Sequence, residues 1–243
     1  MDDAQEYEVG RHRIRIACPD GVGPPTPYSL FLAEHIPEMP GGTVVDVGTG
    51  AGFLAIVARL RGAARVHVLD VNPQAVSVAL ENAERNGVRD GVIPLPTGPS
   101  IIPLPAGETV DLVLCNPAQL PLPERDRADS PFYAGPDGRA MIEEVIRAAP
   151  GRLSPSGRLL MTHNSMTDVP ASVRLMEELG LEPRVLGERS LELRPFIDRA
   201  WLDRLGGVAR GLYEVRDGRA YETLYVLEAH LRGAAGVSLA GSG

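Results

Sequence analysis

Apolar residues in this chain fall into short runs separated by stretches where they return every three or four positions, and the two kinds of segment alternate. Thr43-Val44-Val45-Asp46-Val47 reads as a strand, and after a glycine turn Phe53 to Arg61 reads as a helix. Arg65 to Asp70 is a second strand. Pro73 then sits where the first turn of a helix belongs, and that helix runs from about Gln74 to Asn86, with Ala75, Val76, Ala79, Leu80 and Ala83 as its apolar stripe and Gly87 as its C-terminal cap. Val92 to Leu95 is a weak third strand and Val110 to Cys115 a clear fourth. A helix from Gly138 to about Ala149, a strand at Leu159 to Thr162, a helix from Ala171 to Leu179, and strands at Glu182 to Leu186 and Glu222 to Glu228 complete the pattern. Strand and helix in alternation predict an α/β fold: a seven-stranded, mostly parallel, doubly wound sheet with helices on both faces.

The chain has 243 residues. One domain is the expectation at that length, burying roughly 70–75% of its unfolded surface. Within it, residues 1–40 form an N-terminal segment, 41–189 the core, 190–220 an insertion larger than a hairpin needs, 221–232 the last strand and 233–243 a flexible tail. The 24 basic residues are all arginine against 32 acidic ones, for a net charge of -8. Without lysine, the chain cannot be a P-loop protein, a Schiff-base enzyme or a kinase of the protein-kinase type. The acidic balance argues against a nucleic-acid partner. The compact basic cluster Arg11, His12, Arg13 and Arg15 reads as the solvated face of an N-terminal strand. Cys18 and Cys115 show no metal or disulfide pattern, and Cys115 reads as a buried small hydrophobe. No metal site is expected. The residues that begin the sequence lack a signal-peptide core, and no long apolar run follows, so a cytoplasmic protein without membrane association is expected.

The strongest chemical signal is Asp46-Val47-Gly48-Thr49-Gly50-Ala51-Gly52, directly after a strand and opening a helix at Phe53. Glycines there let the backbone turn sharply and approach a ligand closely. The dinucleotide fingerprint would need a glycine where Phe53 stands, so the loop departs from that class. Asp70, followed by Val71, ends the next strand and can accept hydrogen bonds from both hydroxyls of a ribose lying over the loop.

At these residues the sequence resembles the class I S-adenosylmethionine-dependent methyltransferases, from about Val44 to Glu228. The resemblance implies S-adenosylmethionine as cofactor, held by Asp46, Gly48, Thr49, Gly50, Gly52, Phe53, Asp70, Val71, Thr97 and Asn116. Asn116-Pro117, at the end of the fourth strand, is similar to the NPPY motif of amino-group methyltransferases, including the HemK/PrmC-type protein-glutamine enzymes. In that family the Asn carbonyl and the following backbone carbonyl accept hydrogen bonds from the target nitrogen, and these roles would fall to Asn116 and Pro117. Tyr133 to Arg139 resembles the Gly-x-Asp-Gly-Arg segment of short HemK-like proteins. Pro24 to Leu32 resembles their N-terminal segment, which closes over the cofactor and here contributes Tyr28.

Two departures shape the expected acceptor. Ala118 and Gln119 replace the family's second proline and aromatic, and Thr97-Gly98-Pro99-Ser100 replaces an acidic residue that would meet the adenine amino group. The 190–220 insertion is a candidate substrate lid with Phe196, Trp201 and Tyr213 on its wall. Tyr28, Gln119, Tyr133, Phe196 and Trp201 are thus the expected substrate-binding residues. Methyl transfer to an amide or amine nitrogen of a small metabolite or a protein glutamine is the first expectation. The alternatives are an O-methyltransferase with His163 as base, or a cofactor-binding partner protein without catalysis. The sequence is silent on oligomeric state.

Overall fold

The computed structural model describes residues 3–98, 100–121, 134–193 and 213–233. A hairpin opens the chain, β1 (Gln5–Val9) against β2 (His12–Ile16), turning through Gly10 at φ 58°. Ile14 and Ile16 point into the core while Arg13 and Arg15 face out, as the alternation of the basic cluster requires. Arg13 lies 3.7 and 3.8 Å from Glu6 and Glu8, and Arg11 lies 3.6 Å from Glu38, so this patch is partly neutralised.

After helix α1 (Pro27–His35) come β3 (Thr43–Val47), α2 (Phe53–Leu60), β4 (Arg65–Leu69), α3 (Pro73–Arg85), β5 (Val92–Pro94) and β6 (Val110–Cys115). Then follow α4 (Ala140–Ala148), β7 (Leu153–Asn164), α5 (Val169–Glu178), β8 (Leu181–Glu192), β9 (Glu214–Arg216) and β10 (Arg219–Leu231). The main sheet has the order β5-β4-β3-β6-β7-β10-β8, and β9 adds to β10. The strands from β5 to β7 are parallel, and β10 runs antiparallel to both its neighbours. The seven expected strands are therefore present, with β9 as an eighth.

Alternate residues of each strand serve opposite faces. Val44, Leu112, Leu114 and Leu160 pack with Ile14, Phe31 and Ile56 under α1, α2, α3 and the hairpin. Val45, Val113, Cys115 and Met161 pack with Ile142, Ile146 and Met176 under α4 and α5. Each fully buried Leu or Ile contributes about 1.5–3 kcal/mol, so the two layers hold the sheet independently of any ligand. Helix α2 is buried from Phe53 through Ala58, because the sheet covers one side and the hairpin another. Among the described residues no helix is long and apolar enough to cross a membrane.

Three strands are longer than the apolar pattern suggests, β10 by three residues at each end. Strand β7 begins at Leu153, with Pro155 and Gly157 inside it, and a register shift between Val110 and Leu112 absorbs the irregularity. Strand β8 continues to Glu192 as a largely polar edge strand.

Candidate functional site: a cleft at the switch point of the sheet

The chain runs outward from β3 to β4 and β5, then returns to the other side of β3 at β6. The crevice at such a reversal is where open α/β sheets bind ligands. A cleft of about 1000 Å³ lies there, lined from the β3 and β4 side by Gly48, Asp70 and Val71 and from the β6 and β7 side by Asn116, Pro117, Gln119 and Asn164.

The glycine loop is held in place before any ligand arrives. The Gly48 and Thr49 amides both donate to the Leu69 carbonyl at 3.0 Å, and the Gly50 amide donates to Asp70 Oδ2 at 3.0 Å. Gly48, Gly50 and Gly52 all sit at positive φ, the region that favours glycine. Gly52 is needed twice over, since a Cβ there would lie 2.8 Å from the Ala79 backbone of α3. Asp46 is fully buried, and its Oδ2 accepts from the Thr49 hydroxyl at 2.8 Å. Burial raises its carboxyl to about 7, the Thr49 hydrogen bond opposes the rise, and the charge of Asp70 adds to it. Of the expected cofactor residues, Gly48, Asp70, Val71, Thr97 and Asn116 line the cleft. Asp46, Thr49, Gly50, Gly52 and Phe53 stand behind it, with Phe53 edge-on to Tyr7 at 5.5 Å between ring centres.

These residues suit S-adenosylmethionine. Asp70 uses one lone pair of Oδ2 on Gly50 and one of Oδ1 on the Asn72 amide, which leaves acceptor capacity on both oxygens for a ribose diol. Val71 is 93% exposed, an apolar side chain on the cleft wall that could pack against an adenine ring. The N-terminal segment is laced to α3 beside this wall. Asn82, fully buried, donates to the Ala17 and Ala51 carbonyls and accepts from the Ala17 amide, while Asn72 and Gln74 donate to the Gly21 and Asp20 carbonyls.

Asn116 directly follows β6, with its amide gripped from both sides. Its Oδ1 accepts from the Thr162 hydroxyl at 2.7 Å, and its Nδ2 donates to Ser29 Oγ at 3.0 Å and more weakly to Thr26 Oγ1 at 3.5 Å. Gln119 Nε2 in turn donates to Thr162 Oγ1 at 3.1 Å. Tyr28, in the first turn of α1, donates its hydroxyl to the Glu222 carboxylate of β10, and both residues line the cleft. The Gly135–Arg139 segment is a brace. A Cβ on Gly138 would meet the Gln119 carbonyl and the Pro121 nitrogen at 2.9 Å, and buried Arg139 donates to the Thr167 and Asp168 carbonyls.

His163 is where sequence reasoning and structure part. It was expected in a loop at the ligand-facing edge, but β7 continues through it, and its side chain is fully buried and is not among those that line the cleft. Nε2 pairs with Ser172 Oγ at 2.8 Å and Nδ1 with Thr167 Oγ1 at 2.9 Å. Burial lowers its pKa to about 4, which leaves it neutral and weakly basic near pH 7, and with no exposed surface it does not line the cleft. Tyr133, Phe196 and Trp201 lie outside the described residues, and Tyr213 does not line the cleft. Ser29, Thr162 and Glu222 were not singled out from the sequence; Ser29 lies in the Pro24 to Leu32 segment and the other two on strands already expected.

A doubly wound sheet with a glycine loop, a strand-end aspartate and an Asn-Pro at the switch point defines a nucleoside-cofactor group-transfer protein. Comparison with known proteins makes this specific. The family model described as ribosomal protein L11 methyltransferase (PrmA) matches residues 19–121. A candidate protein N5-glutamine methyltransferase of Methanocaldococcus jannaschii is 26% identical over 71% of this chain and 87% of its own length. The release factor glutamine methyltransferase of Mycobacterium leprae is 34% identical over 68% of this chain, which spans 59% of that relative. The solved 16S rRNA N2 G1207 methyltransferase of T. thermophilus, in complex with AdoMet and guanosine, superposes with a TM-score of 0.60 at 20% identity, over 94% of this chain and 50% of that one, and shows the shared fold. In sequence the chain is similar to S-adenosylmethionine-dependent methyltransferases, and its fold is that of the Rossmann-like members.

Proposed function

We propose that the chain methylates an amide nitrogen, with a protein glutamine as the acceptor to which the names of its relatives point. The observation that carries this reading is the clamped Asn116 amide on the same cleft as the glycine loop and Asp70. The chemistry the cofactor supplies when bound is a methyl group on a sulfonium, displaced in line with the S–C bonding pair leaving on sulfur. The protein's part is positioning. Thr162 takes one lone pair of Asn116 Oδ1 and leaves the other for an N–H of the acceptor, so the nitrogen lone pair can be aimed. Pro117 has a fixed φ and no amide hydrogen, which steadies the backbone carbonyl beside it. After transfer the nitrogen gives its extra proton to solvent.

A small metabolite bearing the same group is the second acceptor to test, since Ala118 and Gln119 stand where the resembled motif has a proline and an aromatic. A nucleic-acid acceptor fits poorly with a net charge of -8 and with a cleft wall that carries no cation among the described residues.

The test is the Asn116→Ala protein assayed by mass spectrometry on glutamine-bearing peptides and free carboxamides. Turnover is expected to fall about 100-fold or more, as loss of positioning does, with S-adenosylmethionine affinity by calorimetry within about threefold of wild type. Full activity in Asn116→Ala overturns the reading. Cofactor binding by the wild type without transfer to any nitrogen acceptor would favour a binding protein instead.

A further inference from the structure

Asn116 stands inside a relay of four hydrogen-bonding side chains. Gln119 Nε2 donates to Thr162 Oγ1 at 3.1 Å, Thr162 Oγ1 donates to Asn116 Oδ1 at 2.7 Å, and Asn116 Nδ2 donates to Ser29 Oγ at 3.0 Å. Gln119 and Asn116 come from the segment after β6, Thr162 from β7 and Ser29 from the first turn of α1. Thr162 is fully buried and Gln119 is 6% exposed, so water competes little for these bonds.

Such a relay has a direction. A hydroxyl has one proton to give, and an amide carries its oxygen and its NH2 on opposite arms. Because Gln119 gives Thr162 an N–H, the Thr162 proton is left for Asn116 Oδ1, and Asn116 Nδ2 is turned to Ser29. In the reverse direction Ser29 would donate to Asn116, Nδ2 of Asn116 would point to Thr162, and Thr162 would donate to the Gln119 side-chain carbonyl. The two directions present opposite ends of the Asn116 amide at the same point of the cleft. Gln119 stands where the resembled motif carries an aromatic, yet its amide is turned inward to Thr162. Its backbone is fixed as well: its carbonyl accepts from Asn164 Nδ2 at 3.4 Å and leaves no room for a Cβ on Gly138, which would lie 2.9 Å away.

We propose that Gln119 and Thr162 are positioning residues that act through Asn116: by committing the Thr162 proton to Asn116 Oδ1, they fix which end of the Asn116 amide meets the acceptor. The proposal rests on the methyl-transfer reading of the cleft and deepens it. It gives position 119 a task other than the substrate contact expected there.

Two pairs of variants test this on the glutamine-bearing peptides. Thr162→Val keeps the shape of the side chain and removes the proton, whereas Thr162→Ser keeps the proton. Turnover, kcat, is expected to fall about tenfold or more in Thr162→Val and to recover to within about threefold of wild type in Thr162→Ser, with peptide KM and S-adenosylhomocysteine affinity held within about threefold in both. Gln119→Glu offers Thr162 a carboxylate that accepts without donating, so it draws the proton away from Asn116, and kcat should fall about tenfold or more. Gln119→Leu removes donor and competitor together, and its kcat should stay at least about threefold above that of Gln119→Glu. A readout free of turnover is the solvent exchange of the Asn116 side-chain amide protons, followed by NMR in the cofactor-free full chain. It should be at least about tenfold faster in Thr162→Val than in wild type or Thr162→Ser. Wild-type kcat in Thr162→Val, a loss in Gln119→Leu equal to that in Gln119→Glu, or unchanged amide exchange in Thr162→Val overturns the proposal. If Thr162→Val does not fold, the Gln119 pair decides. Loss of turnover in Asn116→Ala but not in Thr162→Val would leave the methyl-transfer reading standing and the relay fallen. If no peptide is methylated, that reading falls and the amide exchange decides the relay.

Discussion

Asp46 and His163 are two fully buried ionisable side chains that burial pushes in opposite directions, and their effects on stability oppose each other. The Asp46 carboxyl is raised from 3.8 to about 7. Between those values the unfolded chain gives up this proton and the folded chain keeps it, so stability from this group falls as pH rises through the window. His163 is lowered from 6.5 to about 4. Over that range the unfolded chain takes a proton the folded chain refuses, so stability from this group falls as pH drops. The two slopes overlap with opposite signs. The expected outcome for the cofactor-free protein is that these two contributions largely cancel from about pH 4 to 6.5 by urea unfolding, leaving the gentler slope of His67, which burial also lowers, with each variant unmasking the other group. Asp46→Asn should grow more stable as pH rises through the window, and His163→Gln less stable, each by on the order of a few kcal/mol at most. Equal slopes in wild type and Asp46→Asn would mean that the buried carboxylate is not perturbed.

At the scale of elements, the turn from β3 into α2 and the end of α3 use glycine for different reasons, and substitution separates them. Gly52 has φ 83°, and a Cβ there would sit 2.8 Å from Ala79 Cα, backbone that cannot swing away. Gly87 has φ 68° with nothing within 4 Å. Gly87→Ala should therefore cost only about 1 kcal/mol from the left-handed backbone, whereas Gly52→Ala should cost roughly 3 kcal/mol or more and weaken cofactor binding as α2 and α3 part. Chemical denaturation of both variants checks the contrast. The same distinction explains what could be read from the sequence. The β3–α2 loop, Asp70 and Asn116-Pro117 were legible because each is a contiguous stretch at the end of a strongly apolar strand. The edge strand β8 and the start of β7 were not, because polar residues, Pro155 and Gly157 hide a strand that its neighbours impose. Ser29, Thr162 and Glu222 were hidden for a further reason: they come from α1, β7 and β10, and only the order β6-β7-β10, with α1 packed across it, brings them to Asn116 and the cleft. His163 was misplaced by the same shortening of β7, which seemed to end before the histidine.

For the whole molecule, the net charge of -8 and a cleft whose described charged groups are all carboxylates act on the reaction's two nucleosides unequally. S-adenosylmethionine carries a sulfonium and has a net positive charge near neutral pH, whereas S-adenosylhomocysteine is a neutral zwitterion of nearly the same shape. The field of the protein therefore favours the methyl donor over the spent product, and that preference is electrostatic rather than steric. Salt weakens such a field over distances beyond the Debye length, which shrinks from about 30 Å at 0.01 M to about 3 Å at 1 M. Titrating both nucleosides by calorimetry across that range should show S-adenosylmethionine affinity falling about two- to fivefold while S-adenosylhomocysteine affinity stays nearly constant. In Asp70→Asn both should weaken through the lost ribose acceptor, but the difference between their salt dependences should narrow, because one of the cleft's charges has been removed. Parallel salt dependences in the wild type would show instead that the acidic wall does not act on the cofactor at a distance.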